Sequence, residues 1–138
     1  MRGLIKTLTL ILFLVAGGQV HAQVYEGKQL VPDSTDFPNV YVKALHSDTF
    51  SSTYAIWVKN GVKPHKHVLH TEVITVLGGK GSMTLGSEVK VIKKGDVVVI
   101  PQGTVHAVTT TSKKPLVVIS VQSPKFRGKD RIWIKEKK

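Results

Sequence analysis

The 138-residue sequence contains no cysteine. Without a thiol, the chain cannot form a disulfide, a cysteine nucleophile, an iron–sulfur cluster or a thiolate zinc site. Its stability must come from packing, and a bound metal would add to it because a ligand stabilises the state that binds it. Any metal site in this chain would have to use nitrogen and oxygen ligands.

The sequence also lacks an apolar run long enough to cross a bilayer. Arg2 and Lys6 precede an apolar stretch over residues 8–16, which is shorter than the roughly 18 to 20 residues that a spanning helix needs. Small residues then flank a cleavage position at Ala22. The pattern predicts a secretory signal peptide over residues 1–22. Because no cysteine follows to carry a lipid, we expect a periplasmic or secreted protein without a stable membrane anchor.

Acidic residues are scarce: 20 Lys and Arg stand against 9 Asp and Glu, a net charge of +11. Loss of Arg2 and Lys6 with the signal peptide leaves +9, and residues 125–138 contribute five of those charges. Nucleic-acid binding needs a concentrated basic surface with stacking or base-reading groups, so we expect no nucleic-acid partner. A basic tail on acidic glycans or anionic lipid remains an alternative, which predicts salt-sensitive retention that depends on residues 125–138.

Helical periodicity, internal repeats and low-complexity segments are absent. Short runs rich in β-branched residues alternate with Gly, Pro and Asn turns, which is typical of an all-β sandwich or barrel. After cleavage the chain has enough residues for one domain, which we divide into an N-terminal arm over 23–40 and a barrel over 41–138. The predicted strands are 41–45, 53–58, 72–77, 81–85, 89–92, 97–100, 106–110, 116–121 and 132–134.

Residues 125–135 alternate between basic and apolar side chains. Phe126, Ile132 and Ile134 occupy even positions, whereas the odd positions are mostly basic. The alternation predicts an extended segment that packs its even face and exposes its odd face to solvent. Trp133 falls on the basic face, and the sequence leaves open whether it lies on the surface or caps an opening.

Three histidines and one glutamate form a candidate metal site. His65 and His67 are two residues apart, so their side chains share one face of a strand. The preceding Pro64 favours a strand over a helix. Glu72 follows after a short loop, and His106 lies in a separate strand. Inward-facing residues of different strands converge inside a closed barrel.

Imidazoles and one carboxylate suit a divalent ion such as Fe, Mn, Ni, Cu or Zn. Four protein ligands leave one or two positions open on a five- or six-coordinate ion. Water, dioxygen or a substrate oxygen would occupy those positions.

The spacing of these residues resembles the two motifs of the cupins, which are small β-barrels of the jelly-roll type. The matching patterns are His65-x-His67-x4-Glu72-x6-Gly79 and Gly95-x5-Pro101-x-Gly103-x2-His106, and the resemblance extends over roughly residues 53–121. It implies a cupin-type jelly-roll β-barrel in which His65, His67, Glu72 and His106 bind the metal. Two positions depart from the motifs: Lys59 replaces a glycine and Thr110 an asparagine. Neither is usually a ligand, so the departures bear on local turns.

His70 lies in the loop between His67 and Glu72. The sequence allows a group behind the ligands, an alternative ligand or a proton carrier. A solvent-exposed loop histidine is the interpretation that its position favours. If the protein is an enzyme, His70 and Glu72 are the candidates for a catalytic base.

The leading functional hypothesis is a metal-dependent enzyme that acts on a small molecule in the barrel. The resemblance to cupins implies dioxygenase, isomerase, lyase or decarboxylase chemistry, and we favour a dioxygenase-type reaction. The alternative is a non-catalytic exported barrel that binds a metal or a small ligand such as a sugar. An enzyme predicts polar groups beside the metal, whereas a purely aliphatic lining favours simple binding. A homodimer is compatible with either hypothesis.

Overall fold

The computed structural model describes residues 22–28 and 30–135. The predicted signal peptide over residues 1–22 lies outside these residues, apart from Ala22. Within the described ranges, no helix is long and apolar enough to span a membrane.

The described part of the chain contains ten strands and no helix, which confirms the all-β prediction for these residues. Every strand pairing is antiparallel. The strands are β1 (Val40–Ser47), β2 (Ser52–Val58), β3 (Gly61–His67), β4 (Thr71–Gly78), β5 (Lys80–Leu85), β6 (Glu88–Lys93), β7 (Val97–Ile100), β8 (His106–Thr110), β9 (Leu116–Ser123) and β10 (Arg131–Trp133).

The strands form two five-stranded sheets. The first sheet has the order β1-β2-β9-β4-β7, and the second has the order β10-β3-β8-β5-β6. Because alternate residues of a strand face opposite sides, each sheet turns one apolar face inward. These faces enclose the core, whose buried members are Val58, Ile74, Val76, Met83, Ile92, Val98, Ile100, Leu116 and Val118. The arrangement is jelly-roll-like.

The segment before β1 covers the outer face of the first sheet. Phe37 packs with Ala55 and Trp57 of β2, and Leu30 packs against this cluster. Ile56 and Val58 of the same strand point the other way, into the barrel. Trp57 is therefore a packing residue on the outside of the first sheet and does not line the barrel interior.

The C-terminal strand β10 has the predicted length but begins one residue earlier than predicted, and its inward face is the opposite one. Only β10 is regular within residues 125–135, and Ile132 and Ile134 are 43% and 37% exposed. Arg131 pairs with His67, and Trp133 pairs with His65. Directly paired residues share a sheet face, so the inward histidines carry Arg131 and Trp133 inward with them. The prediction that the even positions pack inward is therefore wrong for Ile132 and Ile134, whereas Phe126 is half-buried against His67 and His70 as predicted.

Gly79, between β4 and β5, is required by both its backbone conformation and its surroundings. Its φ is +75°, and a Cβ there would lie 2.5 Å from the carbonyl oxygen of Pro115. Gly86 has a φ of +60° but nothing within 4 Å of its Cβ position. An alanine at Gly86 would therefore incur only the cost of the left-handed backbone conformation, without a steric clash. We expect Gly86→Ala to lower the free energy of unfolding by about 1 kcal/mol, and Gly79→Ala by roughly 2–3 kcal/mol. Urea denaturation of both variants measures this, and equal losses would contradict it.

Candidate metal centre

Three strands bring the four predicted ligands to one end of the barrel interior. His65 and His67 lie on β3, and His106 lies directly opposite His65 on the neighbouring β8. Glu72 lies on β4 of the facing sheet. All four side chains are buried, with residue exposures between 2% and 5%. The structure therefore brings together every residue of the predicted ligand set.

The ligand atoms of these residues face one another. One nitrogen each of His65, His67 and His106 lies within 4.8 Å of the others. Oε2 of Glu72 is 3.4 Å from Nε2 of His106 and 3.7 Å from Nε2 of His67. Ligands about 2.1 Å from a shared ion are themselves roughly 3 to 3.5 Å apart, so small side-chain adjustments would close this set around one ion.

Hydrogen bonds set which nitrogen of two imidazoles carries the proton. Nδ1 of His65 is 2.9 Å from the carbonyl oxygen of Lys63, and Nδ1 of His106 is 2.9 Å from that of Thr104. A carbonyl oxygen can only accept, so Nδ1 must be the donor in both rings. In the neutral form of such a ring, Nε2 carries the lone pair that a metal ligand requires. Nε2 of His106 and both ring nitrogens of His67 are buried without a partner among the described residues.

The carboxylate of Glu72 is held in place from behind. Its Oε1 accepts hydrogen bonds from the Ser120 hydroxyl at 2.5 Å and from Nε2 of Gln122 at 3.1 Å. Burial would raise the pKa of Glu72, but the imidazoles of His106 and His67 and the Ser120 hydroxyl outweigh it, and the pKa lies well below its usual range. Glu72 is thus ionised, with Oε2 free to face the histidines.

The charge balance of this cluster favours a cation. Burial lowers the pKa of His65 to about 4, so this imidazole is neutral at physiological pH. A buried carboxylate beside a neutral imidazole has a high desolvation cost unless a positive charge compensates it. Neutral nitrogen lone pairs and one carboxylate are a donor set for a divalent transition metal. The described residues therefore fit such an ion chemically as well as sterically.

His70 is buried, with a residue exposure of 1%, so the interpretation of a solvent-exposed loop histidine is wrong. Its ring stacks on His67 at a centroid distance of 4.1 Å, and Nδ1 is 2.5 Å from Oδ2 of Asp130. Burial lowers the pKa of His70. His70 does not line the cavity that adjoins the four candidate ligands. It is therefore placed to support His67 from behind and not to exchange protons with a ligand in that cavity.

Asp130 forms the second part of this supporting cluster. Its Oδ1 accepts hydrogen bonds from the backbone N–H groups of Val68 and Leu69, each at 2.8 Å. One carboxylate thereby fixes the loop between β3 and β4 as well as His70. With His67 and His70 it forms a second group whose ligand atoms lie within 4.8 Å of one another.

A cavity of about 350 Å³ adjoins the candidate metal centre. His65, Glu72 and His106 contribute to its wall, together with Arg131 and Trp133. The rest is mainly aliphatic and includes Ile56, Val62, Ile74, Met83, Val108 and Val118. The cavity has the size and the largely apolar character of a small-molecule site.

Sequence reasoning missed the residues behind the ligands, although one signal was present. Alternate inward residues of β9 change from Leu116 and Val118 to Ser120 and Gln122. Two polar residues on a buried face indicate a buried polar partner. Asp130 carries no such pattern, because it lies in an irregular basic segment and reaches its partners only through the fold.

Comparison with known proteins gives one family match. Residues 54–122 match the family model described as Cupin_2, the cupin domain. An uncharacterised protein of Aquifex aeolicus is 37% identical over 83 residues, which are 60% of this chain and 68% of that protein. The chain covers only 32% to 53% of the length of the other matching curated relatives.

Solved structures share the fold at low sequence identity. KdgF from Halomonas has a TM-score of 0.66 at 18% identity, covering 78% of this chain and 97% of that chain. Streptomyces Pac13 with uridine has a TM-score of 0.63 at 16% identity, covering 70% and 79%, and Pac13 is described as a nucleoside dehydratase. At these identities the likeness concerns the fold alone.

Proposed function

Because the chain belongs to the cupin family, we propose that it is a metal-dependent enzyme that acts on a small molecule held in the barrel. His65, His67, Glu72 and His106 would bind one divalent ion. The observation that carries the proposal is the convergence of three buried imidazoles and one ionised carboxylate beside a largely apolar cavity. Such an ion acts as a Lewis acid or, if redox-active, supports oxygen chemistry.

Dioxygenase-type chemistry is the reaction class we favour. Isomerases and lyases commonly need a protein base beside the substrate. In the described part of the chain, the ionisable groups that line the cavity besides His65, Glu72 and His106 are Lys63 and Arg131. Arginine stays protonated, and Lys63 is exposed. A reaction in which the metal itself transfers the electrons needs the fewest acid or base side chains in the cavity wall.

The chain's own groups would contribute binding and exclusion of water. The aliphatic lining desolvates a ligand, which strengthens its interactions with the few polar groups present. Ser120 and Gln122 hold Glu72 in one orientation, and backbone carbonyls hold His65 and His106. These contacts reduce the reorganisation needed when a ligand binds.

A non-catalytic binding barrel is the second candidate, and the predominance of aliphatic side chains in the lining favours it. In that case the site would retain a metal or a small ligand such as a sugar without changing it. Export to the periplasm or beyond remains part of both proposals.

Elemental analysis of the purified protein tests the metal site. We expect about one divalent transition metal per chain, lost in His65→Ala and His106→Ala. His46→Ala is the matched control, because His46 is exposed and pairs only with Asp48 in the described structure. Metal content that is the same in all four proteins would contradict the proposed site.

An oxygen electrode then separates the candidate functions. Iron-loaded protein is incubated with a metabolite extract, with His106→Ala as the inactive reference. Oxygen uptake that requires His106 supports a dioxygenase. Metabolite masses that change without oxygen uptake indicate a lyase, and a metabolite that changes its chromatographic retention but not its mass indicates an isomerase. Retention of an unchanged metabolite by the protein supports the binding barrel.

A further inference from the structure

Arg131 is placed in the wall of the cavity by its strand. It lies on β10 directly opposite His67 of β3, and it lines the cavity together with His65, Glu72 and His106. Its side chain is only partly exposed to solvent. The position therefore puts a permanent positive charge next to the proposed metal centre.

Among the described residues, the guanidinium of Arg131 has no hydrogen-bond acceptor or ion-pair partner. Its Nε is buried without a hydrogen-bond partner, and no carboxylate of residues 22–28 or 30–135 lies within ion-pair distance. A buried donor on a charged group is costly when it is left without a partner. The geometry thus leaves room for an acceptor supplied from outside the chain.

Two aromatic rings hold this guanidinium in position. Its central carbon is 5.9 Å from the ring centroid of Phe126 and 5.6 Å from that of Trp133. Cation–π contacts at such distances orient a guanidinium without using its N–H groups. Trp133 is 54% exposed and lies 5.2 Å from the ring of His65, so it forms the solvent edge of the cavity beside the candidate metal centre.

We propose that Arg131 binds the carboxylate of a small organic acid whose apolar body occupies the aliphatic part of the cavity. A carboxylate matches the planar fork of arginine and carries the single charge that one guanidinium neutralises. Lys63, the other cation of the described lining, is exposed to solvent, so Arg131 is the one partly buried cation there and favours a singly charged carboxylate over a doubly charged phosphate. The inference deepens the proposed function by naming the ligand class, but the carboxylate contact itself needs no metal.

The test uses metal-free protein and two pairs of probes: benzoate with benzamide, and cyclohexanecarboxylate with its amide. Acid and amide have nearly the same shape, so the comparison isolates the charge. Nuclear magnetic resonance follows the indole N–H signals of the two tryptophans, with Trp133→Phe assigning them. We expect at least one acid to shift the Trp133 signal in a saturable way. Its amide should bind more weakly than the acid by a factor of at least about ten.

Variants of the two arginines locate the contact. Arg131→Gln should weaken acid binding by about tenfold, and Arg131→Lys should recover only part of it because the bidentate fork is lost. Arg127→Gln removes the same charge from an exposed position outside the cavity, and it should bind the acids like the parent protein. Thermal denaturation of each variant verifies that it is folded.

Three results would overturn the proposal. These are the absence of a saturable shift with either acid, equal binding of acid and amide, and acid binding that Arg131→Gln leaves unchanged. Repeating the titration with zinc-loaded protein identifies a carboxylate bound by the metal, because such binding is insensitive to Arg131. Failure of the metal site itself appears separately in the elemental analysis and leaves the metal-free titration valid.

Discussion

Loading the metal-free protein with a divalent transition metal is expected to raise its melting temperature by roughly 15 °C. A ligand that binds only the folded state adds about 4 kcal/mol at a free concentration a thousandfold above its Kd, and each kcal/mol corresponds to roughly 4 °C for a chain of this size. The ligands join β3, β8 and β4 of two different sheets. Unfolding therefore separates them and releases the ion.

Differential scanning calorimetry before and after chelation measures this shift. His106→Ala should lose most of it, because Nε2 of His106 is one of the buried atoms without a partner in the described structure. His46→Ala should show the parent's shift. A melting temperature that chelation leaves unchanged would count against an interior metal site.

Replacing Asp130 by alanine is expected to lower the free energy of unfolding by roughly 3–5 kcal/mol. The substitution leaves the N–H groups of Val68 and Leu69 without their acceptor, and it removes the partner of the buried His70. The buried ring of His70 left without its partner costs about 1–3 kcal/mol, and the two part-buried N–H groups, which belong to exposed residues, add about 1 kcal/mol each. The loss should be observed in metal-free protein, because it arises from the loop and not from the ion.

Two further variants sharpen the test of Asp130. Asp130→Asn keeps an oxygen for the two backbone donors, so it should lose clearly less stability than Asp130→Ala. Lys129→Ala alters the exposed neighbouring residue and should stay within about 0.5 kcal/mol of the parent protein. Urea denaturation gives all three values. An Asp130→Ala variant as stable as Lys129→Ala would show that the buried carboxylate contributes nothing to holding the loop.

The four candidate ligands could be predicted from the sequence because local rules place them. Strand parity puts His65 and His67 on one face, and turn residues mark where the neighbouring strands begin. Gly95 and Gly103, the two glycines of the second motif, have φ values of +94° and +76°, a backbone conformation that favours glycine. Such features depend on a few neighbouring residues, and the sequence displays them directly.

The groups behind the ligands depend on partners that are distant along the chain. Asp130 reaches His70 across 60 positions, and nothing near either residue indicates the contact. The inward face of β10 was mispredicted for a related reason. Apolar side chains usually pack inward, but in β10 the pairing of Trp133 with His65 determines which face points inward. The wall of a ligand-sized cavity can contain polar residues that a filled core would exclude.

The inward residues of β9 give the barrel interior a direction. From Leu116 and Val118 to Ser120 and Gln122 they pass from hydrocarbon to hydrogen-bonding groups over roughly 20 Å. On the adjacent β4, Val76 pairs with Val118 and Glu72 pairs with Gln122, so both strands change character towards the same end. A ligand with one polar and one apolar end would therefore meet different surroundings in its two possible orientations within the barrel.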